Sequence, residues 1–152
     1  HLSIRRQRQM CKETVIIQTY DAIRALRDAR VVVAGGFHSP MELECLDFLL
    51  RGSQSVVLCA ATGLPHLGLT AELARALAGG RLSVLSPFSV DVVRATSTEA
   101  VRRNEIVSAI ADAVFVPHAF AVYALGRRKG FPVNLVAMAT IGPAVFVLLL
   151  GS

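Results

Sequence analysis

Four short apolar runs, at 31–34, 55–60, 82–85 and 113–116, set the tightest limit on what this chain can fold into. A strand wetted on one face alternates apolar and polar residues; these runs do not alternate, as in parallel sheets covered on both sides. Valine dominates the first two, and the first three stop at Gly35-Gly36, Thr62-Gly63 and Pro87. Helical patterns lie between them. Over 14–29, Val15, Ile16, Tyr20, Ile23 and Leu26 recur in steps of three and four, with Arg24, Arg27 and Asp28 mostly on the other side. Strands and helices alternating at this spacing specify an α/β fold: a Rossmann-like, three-layer domain with a mostly parallel sheet of about five strands.

Two helix starts are written in side chains. Ser39-Pro40-Met41-Glu42 combines a capping serine, a first-turn proline and the glutamate of a capping box. Thr96-Ser97-Thr98-Glu99 repeats the box ahead of a helix reaching about residue 111. Further helices are expected over 69–78 and, more weakly, 119–128.

Composition narrows the class. With 152 residues, 53% hydrophobic and 18% charged, the chain is neither disordered nor collagen-like, and it can bury a core without disulfides. It reads as one domain over 14–152, preceded at 1–13 by a basic segment or a degenerate first strand. The mean hydropathy of +0.54 fits either a sheet buried on both faces or a membrane segment. Only 131–152 keeps the second option open. It carries no charge and follows Arg127-Arg128-Lys129, yet Asn134, Thr140 and Gly142-Pro143 interrupt it. It divides into two buried strands, or leaves an apolar edge for a dimer, and a membrane role is disfavoured.

Cys11, Cys45 and Cys59 form no C-x-x-C pair, and an odd count of isolated cysteines fits free thiols in a reducing, cytoplasmic setting. The net charge is +5, with a pI near 9.7. Lys12 and Lys129 are the two lysines; the remaining basic residues are arginines. That bias suits bidentate phosphate contacts, though a general preference for Arg explains it as well.

Ligands of open α/β sheets sit beyond the C-terminal strand ends, where loops enter helices. Three loops qualify: Gly35-Gly36-Phe37-His38-Ser39, Ala61-Thr62-Gly63-Leu64 and Ser86-Pro87-Phe88-Ser89. Gly35, Gly36 and Ser39 would offer backbone N–H groups to a phosphate, although Glu42 and Glu44 oppose an anion there. Arg94, Arg102, Arg103 and Asn104 cluster near the helix that follows the third loop. Arginines there would take phosphates and Asn104 a sugar or base edge, or the row is a solvated face pairing with Glu99 and Glu105. His38, Thr62, Gly63 and His118 are further pocket candidates. The histidines lack metal-ligand spacing, and no zinc-protease, nucleophile-elbow or P-loop motif occurs, so no catalytic residue, cofactor or metal is expected.

The motifs Gly35-Gly36-Phe37-His38-Ser39-Pro40-Met41-Glu42, Cys45-Leu46-Asp47 and Leu50-Arg51-Gly52 resemble the DprA/Smf DNA-processing proteins and their shorter relatives. So does Arg102-Arg103-Asn104-Glu105-Ile106-Val107, followed by Ala111-Asp112-Ala113-Val114-Phe115-Val116. The likeness covers about 14–133. It implies a noncatalytic domain that binds single-stranded DNA or a nucleotide, forms homodimers and, in full-length relatives, serves a recombinase. Two stretches depart from the pattern: Ser3-Ile4-Arg5-Arg6-Gln7-Arg8-Gln9 stands where relatives place a strand and a small-residue loop, and Pro117-His118-Ala119-Phe120-Ala121 replaces a glycine-rich turn. Related phosphoribohydrolases require P-G-G-x-G-T-x-x-E, which is absent. A nucleotide-hydrolysing enzyme and a degenerate dimerising scaffold remain the alternatives.

Overall fold

Both capping boxes form. Ser39 Oγ accepts from the Glu42 N–H at 3.3 Å while Glu42 Oε2 takes the Ser39 N–H at 2.7 Å. This starts α2 (Pro40–Leu50), with Pro40 in its first turn. Thr96 and Glu99 start α4 (Ser97–Ile110) in the same way. The computed structural model describes the backbone of residues 2–115, 137–139 and 145–149, and side-chain surroundings over 13–112 except Val15.

Along the chain, α1 (Leu2–Asp28) leads to β1 (Val32–Gly35), α2 to β2 (Val56–Cys59), and α3 (Ala71–Ala78) to β3 (Leu82–Leu85). After α4 come β4 (Ala113–Phe115), β5 (Ala137–Ala139) and β6 (Val145–Leu149). The expected strands thus form at their expected places. At the start, the basic 1–13 segment is helical from Leu2 and not a degenerate strand, continuous with the helix read over 14–29. The helix expected over 119–128 lies outside the described residues, as do Val116 and the basic cluster at 127–129.

The sheet runs β3-β2-β1-β6-β4-β5, with β6 also paired to β5. β1, β2 and β3 are parallel in sequence, as are β4 and β5. Among the described residues, β6 alone runs antiparallel to its neighbours, so the sheet is mostly parallel, as expected. The five residues between β5 and β6 are too few for a parallel crossover, which takes a dozen or more. Right-handed crossovers put α2 and α3 on one face and send α4 to the other, which completes a Rossmann-like α/β domain.

One core fills the space between these layers. Val33, Val56 and Leu82 lie in register across β1, β2 and β3 and pack with Leu46, Leu49 and Ile23. α1 buries a stripe of Thr19 and Ile23 flanked by half-buried Tyr20 and Leu26, and Tyr20 meets Phe48 of α2 edge to face at 5.3 Å. Arg81, at the foot of β3, donates to the carbonyls of Leu50 (2.8 Å) and Gly52 (2.5 Å), satisfying the last turn of α2. Two helices close with the same pair of bonds. Arg30 (φ +57°) follows α1, and Gly80 (φ +70°) follows α3.

Candidate functional site

The three loops meet at the C-terminal ends of β1, β2 and β3. The second and third are fastened to each other. The Gly63 N–H donates to Val92 O at 2.8 Å, Ser86 Oγ donates to Thr62 O at 2.6 Å, and His66 Nε2 lies 2.8 Å from Val90 O. A Cβ on Gly63 would stand 2.5 Å from Ser89 O, so the glycine admits the neighbouring backbone there. The backbone of Thr62 and Gly63, residues read as pocket candidates, thus helps to hold the two loops together.

The first loop has a different neighbour. Gly35, Gly36 and Phe37 are buried, and Phe37 turns the chain at φ +44°. Against Gly36 rests the guanidinium of Arg103, close enough that an added Cβ would lie 2.2 Å from its central carbon. Arg103 is 2% exposed and donates from Nε and Nη2 to Asn104 Oδ1 at 3.1 and 3.0 Å. Burial lowers its pKa, while the negative charge of Glu42 and the thiol of Cys59 raise it. Glu42 itself is fully buried, and its Oε2 takes N–H groups from both His38 (3.1 Å) and Ser39 (2.7 Å). Of the three backbone donors expected to face a phosphate, that of Ser39 is therefore already taken by a carboxylate of the chain.

The exposed basic groups lie further out. Arg94 is exposed in the third loop, and Arg102 is exposed on α4. Arg102 lines an open cavity of about 420 Å³ with Ser97, Thr98, Val101 and Glu105. Ser97 and Thr98 belong to the first turn of α4, whose dipole favours negative charge, but the Thr98 N–H is taken by Thr96 Oγ1, and the carboxylates of Glu99 and Glu105 work against an anion there. The cluster read as four cooperating residues is thus divided. Arg94 and Arg102 face solvent, Arg103 turns inward, and half-buried Asn104 supports Arg103 through its side-chain oxygen. His38 is exposed at the mouth of the first loop, and His118 lies outside the described residues.

Cys45 and Cys59 are buried, free and inert in character: burial pushes their thiols up to about 12 and about 11. Among the described residues, no three His, Cys, Asp or Glu side chains are grouped to hold a metal ion, and no helix is long and apolar enough to cross a membrane.

The role of Glu42 was not apparent from motif reading, which took it as a helix cap alone. A signal was present in the spacing. In α2 the buried positions are Glu42, Cys45, Leu46, Leu49 and Leu50, and in α4 they are Arg103 and Val107. Opposite charges on two otherwise apolar stripes are the mark of a pair held inside.

Comparison with known proteins adds no relative: no family model, curated protein or solved structure matches the chain.

Proposed function

We propose that this domain binds single-stranded DNA or a nucleotide without catalysis, in the manner of DprA/Smf DNA-processing proteins. One observation carries the reading: Arg102 is exposed in an open cavity with Ser97 and Thr98 of the first turn of α4, the helix that follows β3, and α/β sheets receive ligands where strands lead into helices. Arg94 would supply a second phosphate contact from the adjoining loop, and the buried thiols fit a reducing, cytoplasmic setting. A recombinase partner and a homodimer follow from the resemblance alone.

The test is a fluorescence-anisotropy titration of labelled single-stranded and duplex DNA at two salt concentrations. Two arginines neutralising two phosphates on a single strand give a slope of about −1.4 in log K against log salt. Arg94→Ala/Arg102→Ala removes that dependence and weakens binding. Salt-insensitive binding, or an unchanged affinity in the double variant, refutes the reading.

A specific observation also favours the dimerising scaffold. The Glu42 carboxylate fills the β1–α2 turn, and Leu64, Val90 and Val93 stand 52%, 62% and 56% exposed in the second and third loops. Absence of any nucleotide-induced rise in melting temperature, together with a concentration-dependent dimer in sedimentation, would select it.

A further inference from the structure

The β1–α2 turn has the parts of an anion site. Successive N–H groups of His38 and Ser39 converge on one point at the N-terminus of an 11-residue helix, and a buried guanidinium lies against the same turn at Gly36. A capping box alone accounts for the Ser39 bond. It does not account for the second donor from His38, for the complete burial of the carboxylate, or for an arginine that is 2% exposed. Burying two opposite charges is costly unless each offsets the other; no hydrogen bond or ion pair joins Glu42 to Arg103, and the carboxylate acts on the guanidinium across a short gap, raising its pKa against the effect of burial. The fit is also incomplete. Both N–H groups go to Glu42 Oε2, while buried Oε1 has no hydrogen-bond partner.

We propose that the β1–α2 turn is an anion-binding site which the chain fills itself, with the Glu42 carboxylate as the resident anion and Arg103 as its counter-ion. Arg103 is then a positioning residue for the turn and makes no contact with a ligand phosphate. Gly36 is required for the approach of that guanidinium. The site accepts a small external carboxylate or phosphate only when the Glu42 side chain is removed. None of this depends on whether the exposed face near Arg94 and Arg102 binds DNA.

Chemical rescue tests the proposal. Glu42→Ala deletes the carboxylate, and sodium formate returns one of the same size, with sodium chloride at matched ionic strength as the control. Melting followed by circular dichroism should show Glu42→Ala gaining roughly 4 °C in formate at about ten times its dissociation constant, and rising with the logarithm of formate concentration beyond it. The unaltered protein, its site occupied, gains nothing specific to formate. Glu42→Ala/Arg103→Met loses the response. An equal formate effect on the unaltered protein, no effect on Glu42→Ala, or an undiminished effect in the double variant overturns the proposal. If Glu42→Ala folds only with help, recovery of helical signal on dilution from urea in formate but not chloride is the supporting result, and recovery in neither overturns it. Glu42→Gln gives an independent check, since it keeps an oxygen for the two N–H groups and loses the charge. Arg103→Met should then change the unfolding constant roughly tenfold less than it does beside Glu42. Equal changes in the two backgrounds refute the counter-ion role.

Discussion

Adding one methyl group at Gly36 tests how firmly Arg103 is held. In Gly36→Ala the new Cβ would stand 2.2 Å from two guanidinium atoms and 2.5 Å from a third, against ordinary contact at 3.4 Å. The guanidinium must therefore retreat by about 1.2 Å. An exposed arginine would do so at no cost. Here both bonds to Asn104, at 3.1 and 3.0 Å, stretch beyond hydrogen-bonding distance, and the charge stays buried. Two charge-assisted bonds weakened together are worth about 3 kcal/mol. A domain of this size is stable by roughly 5–15 kcal/mol, so the variant still folds. Urea unfolding followed by circular dichroism should show the midpoint falling at unchanged m-value. Arg103→Met should then remove most of the cost, because nothing is left for the methyl to strike. A Gly36→Ala midpoint indistinguishable from the unaltered protein, or the same loss with and without Arg103, would refute the reasoning.

Two other perturbations address local conformation. Arg30→Gly should stabilise the domain by about 0.5–1 kcal/mol, because a left-handed residue costs L side chains strain that glycine avoids, partly offset by glycine's greater chain entropy; a lower urea midpoint would refute it. The Glu99 carboxyl is held below its ordinary value of 4.5 by the Thr96 hydroxyl and N–H, so its contribution is complete above the unfolded pKa and is lost as pH falls through the lowered folded value. The stability difference between the unaltered protein and Thr96→Ala should accordingly narrow from pH 6 to pH 3 in urea titrations, and a constant gap would contradict the assignment.

The elements most legible in the sequence were those whose cause is local. The S-x-x-E and T-x-x-E boxes, Pro40 and the glycine pair at 79–80 act on the few residues around them, and the helices begin and end there. The apolar runs of β1 and β2 were legible because burial on both faces removes alternation; β3, at the sheet edge, is instead exposed at Ser83 and Leu85. The direction of β6 was not legible, since its pairing with β1 joins Val32 to Leu149 across almost the whole chain. The same apolar pattern would suit either direction. The reach of α1 back to Leu2 was also hidden, because a basic, polar stretch carries no apolar period to announce a helix.

The candidate site shows why a charged cluster is a poor guide until its helix face is known. Residues 102 and 103 are adjacent in sequence but about 100° apart around a helix, so one can face solvent while the other faces the core. The spacing from Ala100 through Arg103 to Val107 and Ala111 places Arg103 on the core side, and the structure buries it there at 2% exposure. That position removes the strongest candidate from the ligand surface and gives it a different partner. Glu42, on a helix of the opposite layer, is the matching departure from an apolar stripe; its negative charge raises the pKa of Arg103, whose guanidinium rests at the end of β1, where Gly36 leaves room. The excess of arginine therefore overstates the binding surface of the described residues. One arginine is held inside the fold, and on the proposed reading an external polyanion would meet Arg94 and Arg102. A weak salt dependence is the physical consequence, and a steep one would require basic groups from elsewhere in the chain.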